Sequence, residues 1–170
     1  MEPSQRLDRA STEEARQLLT TCCGSSAWVL RMLRRRPFTS TDRLFTLARA
    51  EWFDLTHTDW LEAFAHHPKI GDRDALARRF AGTAHLSEHE QRGVDGAPAD
   101  VLDQLAAGNR AYQDRFGYIF IVCATGRSAP EMLDLLRARL PNDAATEIRI
   151  AAEEQAKITE LRLLQIQAPS

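Results

Sequence analysis

The residues best suited to chemistry crowd into one short stretch, Ala65-His66-His67-Pro68-Lys69-Ile70-Gly71-Asp72. Proline disfavours the α conformation in the residue before it, so His67 is expected to leave a helix that ends near His66 and to occupy a stiff, extended corner. Gly71 permits a tight or left-handed backbone, and Asp72 can cap whatever helix follows. An imidazole held in place, with a pKa near neutrality, suits proton transfer. The same stretch also reads as an ordinary loop whose histidine hydrogen-bonds a neighbour.

Two further positions could act with it. Ser87-Glu88-His89-Glu90 has the S-x-x-E capping-box pattern, so Glu90 either closes the box or is aimed across a cleft from the first helical turn. Arg162 continues the stripe Ile148, Ala151, Gln155 and Ile158, spaced by three and four, on a mostly inward helix face. An arginine there needs an anionic partner, either a structural carboxylate, which the sequence alone favours, or a bound anion. Metal ligation is not expected. His85 and His89 are four apart, but with Ser87 as cap His85 lies outside the helix, and the second histidine of H-E-x-x-H is missing.

The elements that must position these residues read as helices. Ser11-Thr12-Glu13-Glu14 opens a helix over 12–22 that stops at Gly24. Ser25 and Ser26 can cap a second, carrying Trp28, Leu30, Met32 and Leu33, with Arg31 and Arg34-Arg35-Arg36 as a solvated, dipole-favoured end before Pro37. Helical spacing recurs from Ser40 to about Leu55 and from Thr58 to His66, then from Ala75 to a stop at Gly82. Pro98 to Phe116 is a long helix, Ser128 caps another that ends near Leu140-Pro141, and the last runs from about Asp143 to Gln165.

One segment departs from that pattern. Tyr118-Ile119-Phe120-Ile121-Val122-Cys123 is β-branched and aromatic, which favours extended backbone, yet no comparable strand exists to pair with it. Its buried backbone groups need side chains, water or a polar ligand, unless the run is a buried helix start.

Composition sets the outer bounds. A chain of 170 residues with 44% apolar and 27% charged residues is expected to form one domain over 1–170, burying roughly 70% of its unfolded surface. A net charge of −2 gives no electrostatic case for nucleic acid or an anionic membrane. No apolar run approaches a membrane span, and the N-terminus lacks a signal-peptide core. Cys22 and Cys23 are adjacent and Cys123 stands apart, which suggests neither a disulfide framework nor a Cys-x-x-Cys site and fits a reducing cytoplasm.

Taken together and in order, several segments resemble the 2-oxo-4-hydroxy-4-carboxy-5-ureidoimidazoline (OHCU) decarboxylases of the ureide pathway. They are Cys23-Gly24-Ser25 with Trp28, Arg36-Pro37-Phe38, His67-Pro68-Lys69-Ile70-Gly71-Asp72, Ser87-x-x-Glu90-Gln91, Arg115 through Val122, Gly126-Arg127-Ser128 and Leu161-Arg162-Leu163. The resemblance implies an all-α, single-domain helical bundle in which the short extended segment lines the active site. It implies a cofactor-free carboxy-lyase, usually a homodimer, that converts OHCU to (S)-allantoin and CO2 in urate breakdown. His67 and Glu90 match the family's catalytic pair, while Pro68, Ser87, Gln91, Ile119, Phe120, Ile121, Val122 and Arg162 match its substrate-binding positions. The chain ends Gln167-Ala168-Pro169-Ser170 without the peroxisomal address that some relatives carry, so a cytoplasmic location is expected. Two other classes remain for comparison: a metal-dependent hydrolase using His67, His85 or His89, and a non-enzymatic helical interaction domain.

Overall fold

The computed structural model describes residues 1–68, 76 and 97–166. Among these the protein is all-α, with eight helices and no strand: α1 Pro3–Arg9, α2 Thr12–Cys22, α3 Ser26–Arg34, α4 Thr41–Phe53, α5 His57–Ala65, α6 Ala97–Phe116, α7 Ala129–Arg139 and α8 Ala144–Leu164. None of them is long and apolar enough to cross a membrane. Of the helix expected over Ala75–Ala81 only Leu76, helical and buried, is described, and the capping box at Ser87 lies outside the described residues.

Local chemistry starts the helices where the sequence says it should. The hydroxyls of Ser11, Ser25, Ser40, Thr56 and Ser128 each accept the backbone N–H three residues on, satisfying one of the donors that a first turn leaves without a helical partner. Glu14 and Glu131 return the bond to the Ser11 and Ser128 N–H at 2.9 and 2.8 Å, closing capping boxes. α1 was not foreseen from the sequence. It is short and has Pro3 in its first turn, and Leu7 is its one fully buried apolar side chain, too little for a periodic signal.

The chain forms two compact units. The first comprises Met1–His67, Ile121–Cys123 and the chain from Ile148. Its core is tied by three indoles, each donating Nε1–H to a helix carbonyl: Trp28 to Ala48 at 3.0 Å, Trp52 to Ala152 at 2.9 Å, and Trp60 to Trp52 at 2.9 Å. A buried indole needs such a partner, so these bonds fix α3 on α4, α4 on α8 and α5 on α4.

The arginines at the end of α3 are not merely a solvated tail. Arg31 pairs with Asp54 at 2.5 Å, Arg35 with the buried Glu51 at 2.5 Å, and Arg36 donates to the carbonyls of Asp8 and Ala10 at 3.1 and 2.5 Å. Asp8 answers by accepting the N–H groups of Phe38 and Thr39. The loop between α3 and α4 is thereby pinned to α1, with Phe38 fully buried beneath it.

The second unit comprises residues 68–120 and 124–147. Here α6 packs on α7, and Gly108 lets them approach closely, because a Cβ at that position would fall on Leu136 Cδ2. α6 stops at Gly117, whose φ of +81° provides the left-handed cap, and residues 118–123, expected to be extended, are neither helix nor strand. Glu147, at the start of α8, is fully buried. It accepts the Tyr112 hydroxyl, Arg139 Nε and Nη2 at 2.8 and 2.5 Å, and Asn142 Nδ2 at 3.0 Å. The Arg139 guanidinium also lies 4.5 Å over the Phe120 ring, so this network holds the beginning of the extended segment as well.

Removing one member of a buried ionic network strands the others without water. Glu147→Ala is expected to destabilise the protein by about 3 to 5 kcal/mol, read as a lower urea midpoint at unchanged m value. An m value that falls with it would point instead to a changed unfolded or native ensemble.

Candidate active site

His67 takes its place from the way α5 ends. His66 is the C-cap residue, and the N–H groups of His66 and His67 reach back to the carbonyls of Ala63 and Phe64 at 3.2 Å, tightening the last turn. Pro68 then bars helical continuation. His66 is exposed, His67 half-buried and Pro68 exposed, so the corner turns its second imidazole inward.

Inward lies α8. His67 Nε2 meets Gln155 Oε1, and Gln155 is fully buried. The Gln155 amide nitrogen donates to Thr159 Oγ1, one turn further along, at 3.1 Å. Cys23, in the turn between α2 and α3, is fully buried. Burial pushes that thiol up to about 12 and the neighbouring Cys22 up to about 11, so both are neutral groups.

The corner opens on a cleft of about 640 Å³ whose lining includes Thr21, Gly24, His66, His67, Arg162 and Gln165. Gly24 is required there, because a Cβ would fall on His66 Cβ and Cγ; the α2–α3 turn and the end of α5 are in contact at that point. Arg162 enters from the last turn of α8 and is half-buried. Its Nη1 donates to the carbonyls of Thr21 and Cys22 at 3.5 and 3.4 Å, a cation at the negative end of α2. Both bonds are long, and no carboxylate among the described residues pairs with it, so the structural ion pair favoured by the sequence is not found there. What the cleft offers is an imidazole of fixed orientation and a guanidinium, the equipment for binding an anion and moving a proton.

The remaining expected site residues fall elsewhere. Ser87, Glu90 and Gln91 lie outside the described residues. Ile121 and Val122 are buried and are not part of the cleft's lining, while Ile119 and Phe120 are half-buried in the run that precedes them. That run does solve its backbone problem in part with a side chain: the Cys123 N–H donates to Glu154 Oε2 at 2.7 Å, and Glu154 also takes Lys157 Nζ at 2.5 Å. The sequence reading placed Gln155 on an inward stripe without giving it a task. A polar side chain between Ala151 and Ile158 on such a stripe has to find a partner, and that was the available signal.

A family model described as OHCU decarboxylase matches residues 8–164. The uric acid degradation bifunctional protein TTL of Arabidopsis thaliana is 40% identical over 146 residues, 85% of this chain and 45% of that protein. The 2-oxo-4-hydroxy-4-carboxy-5-ureidoimidazoline decarboxylase of Haloferax volcanii is 26% identical over 139 residues, 81% of this chain and 80% of its own length. The chain thus spans less than half of the bifunctional plant relative and four fifths of the archaeal one. A crystal structure of OHCU decarboxylase in the presence of (S)-allantoin is similar with a TM-score of 0.71 and 36% identity, covering 92% of this chain and 97% of that one. With the family match running over nearly the whole sequence, the chain belongs to the OHCU decarboxylase family.

Proposed function

We propose that this protein is a carboxy-lyase of urate degradation that converts OHCU to (S)-allantoin and CO2 without a cofactor. The observation that carries this reading is the meeting of His67 and Arg162 on one cleft, from the end of α5 and the end of α8. The family match crosses both compact units, which supports one functional domain over the whole chain.

The substrate's name fixes what the site has to do. One ring carbon carries a hydroxyl and a carboxylate, and its neighbour carries the ureido group. Breaking the bond to the carboxyl carbon releases CO2 and leaves an electron pair, which flows into the adjacent ring C=N; no pyridoxal or thiamine is needed as a sink. The product of that step is an enol. It becomes the ketone of allantoin when the hydroxyl proton is removed and a proton is added to the ureido-bearing carbon from one face.

Arg162 anchors the anionic substrate, and His67 exchanges the proton near the hydroxyl and the reacting carbon. Glu90, with Ser87 and Gln91, orients the polar substituents, and Pro68 and the backbone of Ile119 to Val122 complete the binding site; these roles rest on the family resemblance. The same resemblance supports a homodimer. Cys22, Cys23 and Cys123 are all free thiols, which suits a cytoplasmic setting.

The test is to mix the purified protein with freshly generated OHCU and follow CO2 release together with the circular dichroism of the allantoin formed. Rapid release with (S)-allantoin, persisting after exhaustive chelation, is expected; activity lost to chelator and restored by one metal would overturn the cofactor-free reading. His67→Asn should cost roughly 10² to 10⁴ in rate and let the enantiomeric excess disappear as spontaneous decay takes over. Arg162→Ala should lower kcat/KM with little change in Tm, and unchanged kinetics would remove it from substrate binding. Gly24→Ala must displace the end of α5, so kcat/KM should fall by up to about 100-fold, the loss that a misplaced reacting group brings, while the fold persists.

A further inference from the structure

We infer that His66 is a second proton donor of the reaction: its exposed imidazole, on the same cleft as His67, delivers a proton from solvent to the ring nitrogen on which the electron pair released by decarboxylation comes to rest. This rests on the decarboxylase reading above.

The inference starts from the proton balance. The carboxylate leaves as CO2, and the pair of the broken bond becomes the second bond between the two ring carbons. The π pair of the C=N bond moves onto its nitrogen, which takes up a proton. The enol then loses its hydroxyl proton and gains one at the ureido-bearing carbon. Those last two transfers cancel, and His67 can serve both. The proton on nitrogen does not cancel, since a substrate anion and one proton give CO2 and neutral allantoin. Each turnover therefore draws one proton from water, through a group able to surrender it.

Few side chains of the described cleft lining can do so. Arg162 keeps its protons, and Gln165 is an amide. The hydroxyls of Thr20 and Thr21 donate to carbonyls of their own helix, those of Arg16 and Leu18, at 2.8 and 2.7 Å. His66 is left, the one titratable side chain of that lining besides His67 and Arg162. It is exposed where His67 is half-buried, and among the described residues no hydrogen bond or ion pair engages its ring.

Its placement follows from the end of α5. His66 is the C-cap residue, and the root of its side chain is braced by the α2–α3 turn: a Cβ on Gly24 would lie 2.4 Å from His66 Cβ and Cγ and 2.9 Å from Cδ2. His67, the next residue, turns instead to Gln155 on α8. Two consecutive imidazoles thus reach one cleft with different access to water. The substrate calls for that division. The nitrogen that needs a proton from solvent is bonded to the carbon that His67 protonates, so the two donors have to stand side by side, and the one open to water is recharged after each turnover.

The test compares His66→Gln and His66→Ala, each checked for native circular dichroism and Tm, on freshly generated OHCU. kcat should fall by roughly 10² to 10⁴ with KM nearly unchanged, the loss that removal of a general acid brings. Imidazole added to His66→Ala should restore kcat and leave the wild-type rate alone. At enzyme concentrations that outrun spontaneous decay, the allantoin made by either variant should remain (S), because the face of carbon protonation belongs to His67. Titrating the wild-type protein to saturation with (S)-allantoin, whose ring nitrogen carries the delivered proton, should shift the 15N resonances of the His66 ring. A wild-type kcat in either folded variant, a loss confined to KM, a kcat loss that imidazole does not restore, racemic allantoin, or an unmoved His66 ring would each overturn the inference. If neither variant folds, the titration decides alone. If the wild-type protein does not accelerate the decay of OHCU, the decarboxylase reading fails and this inference with it; if it does and the His66 variants match it, the inference alone fails.

Discussion

The polar groups buried along α8 are the constraint to which most of the described chain answers. Glu147, Glu154, Gln155 and Thr159 all lie out of water on this one helix. A buried polar group without a hydrogen bond costs several times what a satisfied one contributes, so each demands a partner from some other segment. Glu147 takes Tyr112, Arg139 and Asn142; Glu154 takes the backbone of Cys123; Gln155 takes His67; Thr159 takes the other end of the Gln155 amide. An apolar helix in the same place would pack as tightly and hold none of these segments in register. The His67 corner is one of the segments so held, so its placement and the stability of the first unit draw on the same helix.

Rigidity reaches His67 by two routes. Trp60 ties α5 to the carbonyl of Trp52, and Trp52 ties α4 to α8, so the helix that delivers the corner is fixed to the helix that receives it. Gly24 supplies the other route by letting the α2–α3 turn lie directly on His66. The corner is therefore bounded by a turn, a proline and a buried amide, and its imidazole has little freedom to lose when substrate binds. Preorganisation of this kind is what the proposed reaction would draw on, since its electron sink belongs to the substrate and the polar groups need only be held in place.

How much of this the sequence discloses depends on the range over which each signal acts. Ser11, Ser25, Ser40 and Ser128 were readable as helix starts because a cap bonds within three residues of itself. The departure of His67 from its helix was readable from Pro68 alone, and the break in helix after Gly117 from the β-branched residues that follow it. Partnership across the chain was not readable. Arg31, Arg35 and Arg36 were taken as a solvent-facing end, yet they bind Asp54, Glu51 and two carbonyls at the end of α1, none of them within a helical turn. Arg162 was expected to face either a structural carboxylate or a bound anion, and among the described residues it reaches the carbonyls that end α2. Gln155 was placed on the correct face, but nothing near it in sequence names a histidine as its partner. Ordered motifs supplied what local physics could not, since Ser87, Glu90 and Gln91 enter the site on resemblance alone and lie outside the described residues.

Cys23 brings the oxidation chemistry of sulfur into the core of the first unit, in the turn between α2 and α3. A sulfenic acid there would add an oxygen to a fully buried site, which would need room and a hydrogen-bond partner. The nucleophile that peroxide attacks is the thiolate, and burial pushes the Cys23 thiol up to about 12, so it stays protonated at neutral pH. The burial that makes Cys23 a poor acid also makes it a poor target. A residue of the most oxidisable type can thus sit next to Gly24, on which the end of α5 packs, and still present its sulfur as an unreactive thiol.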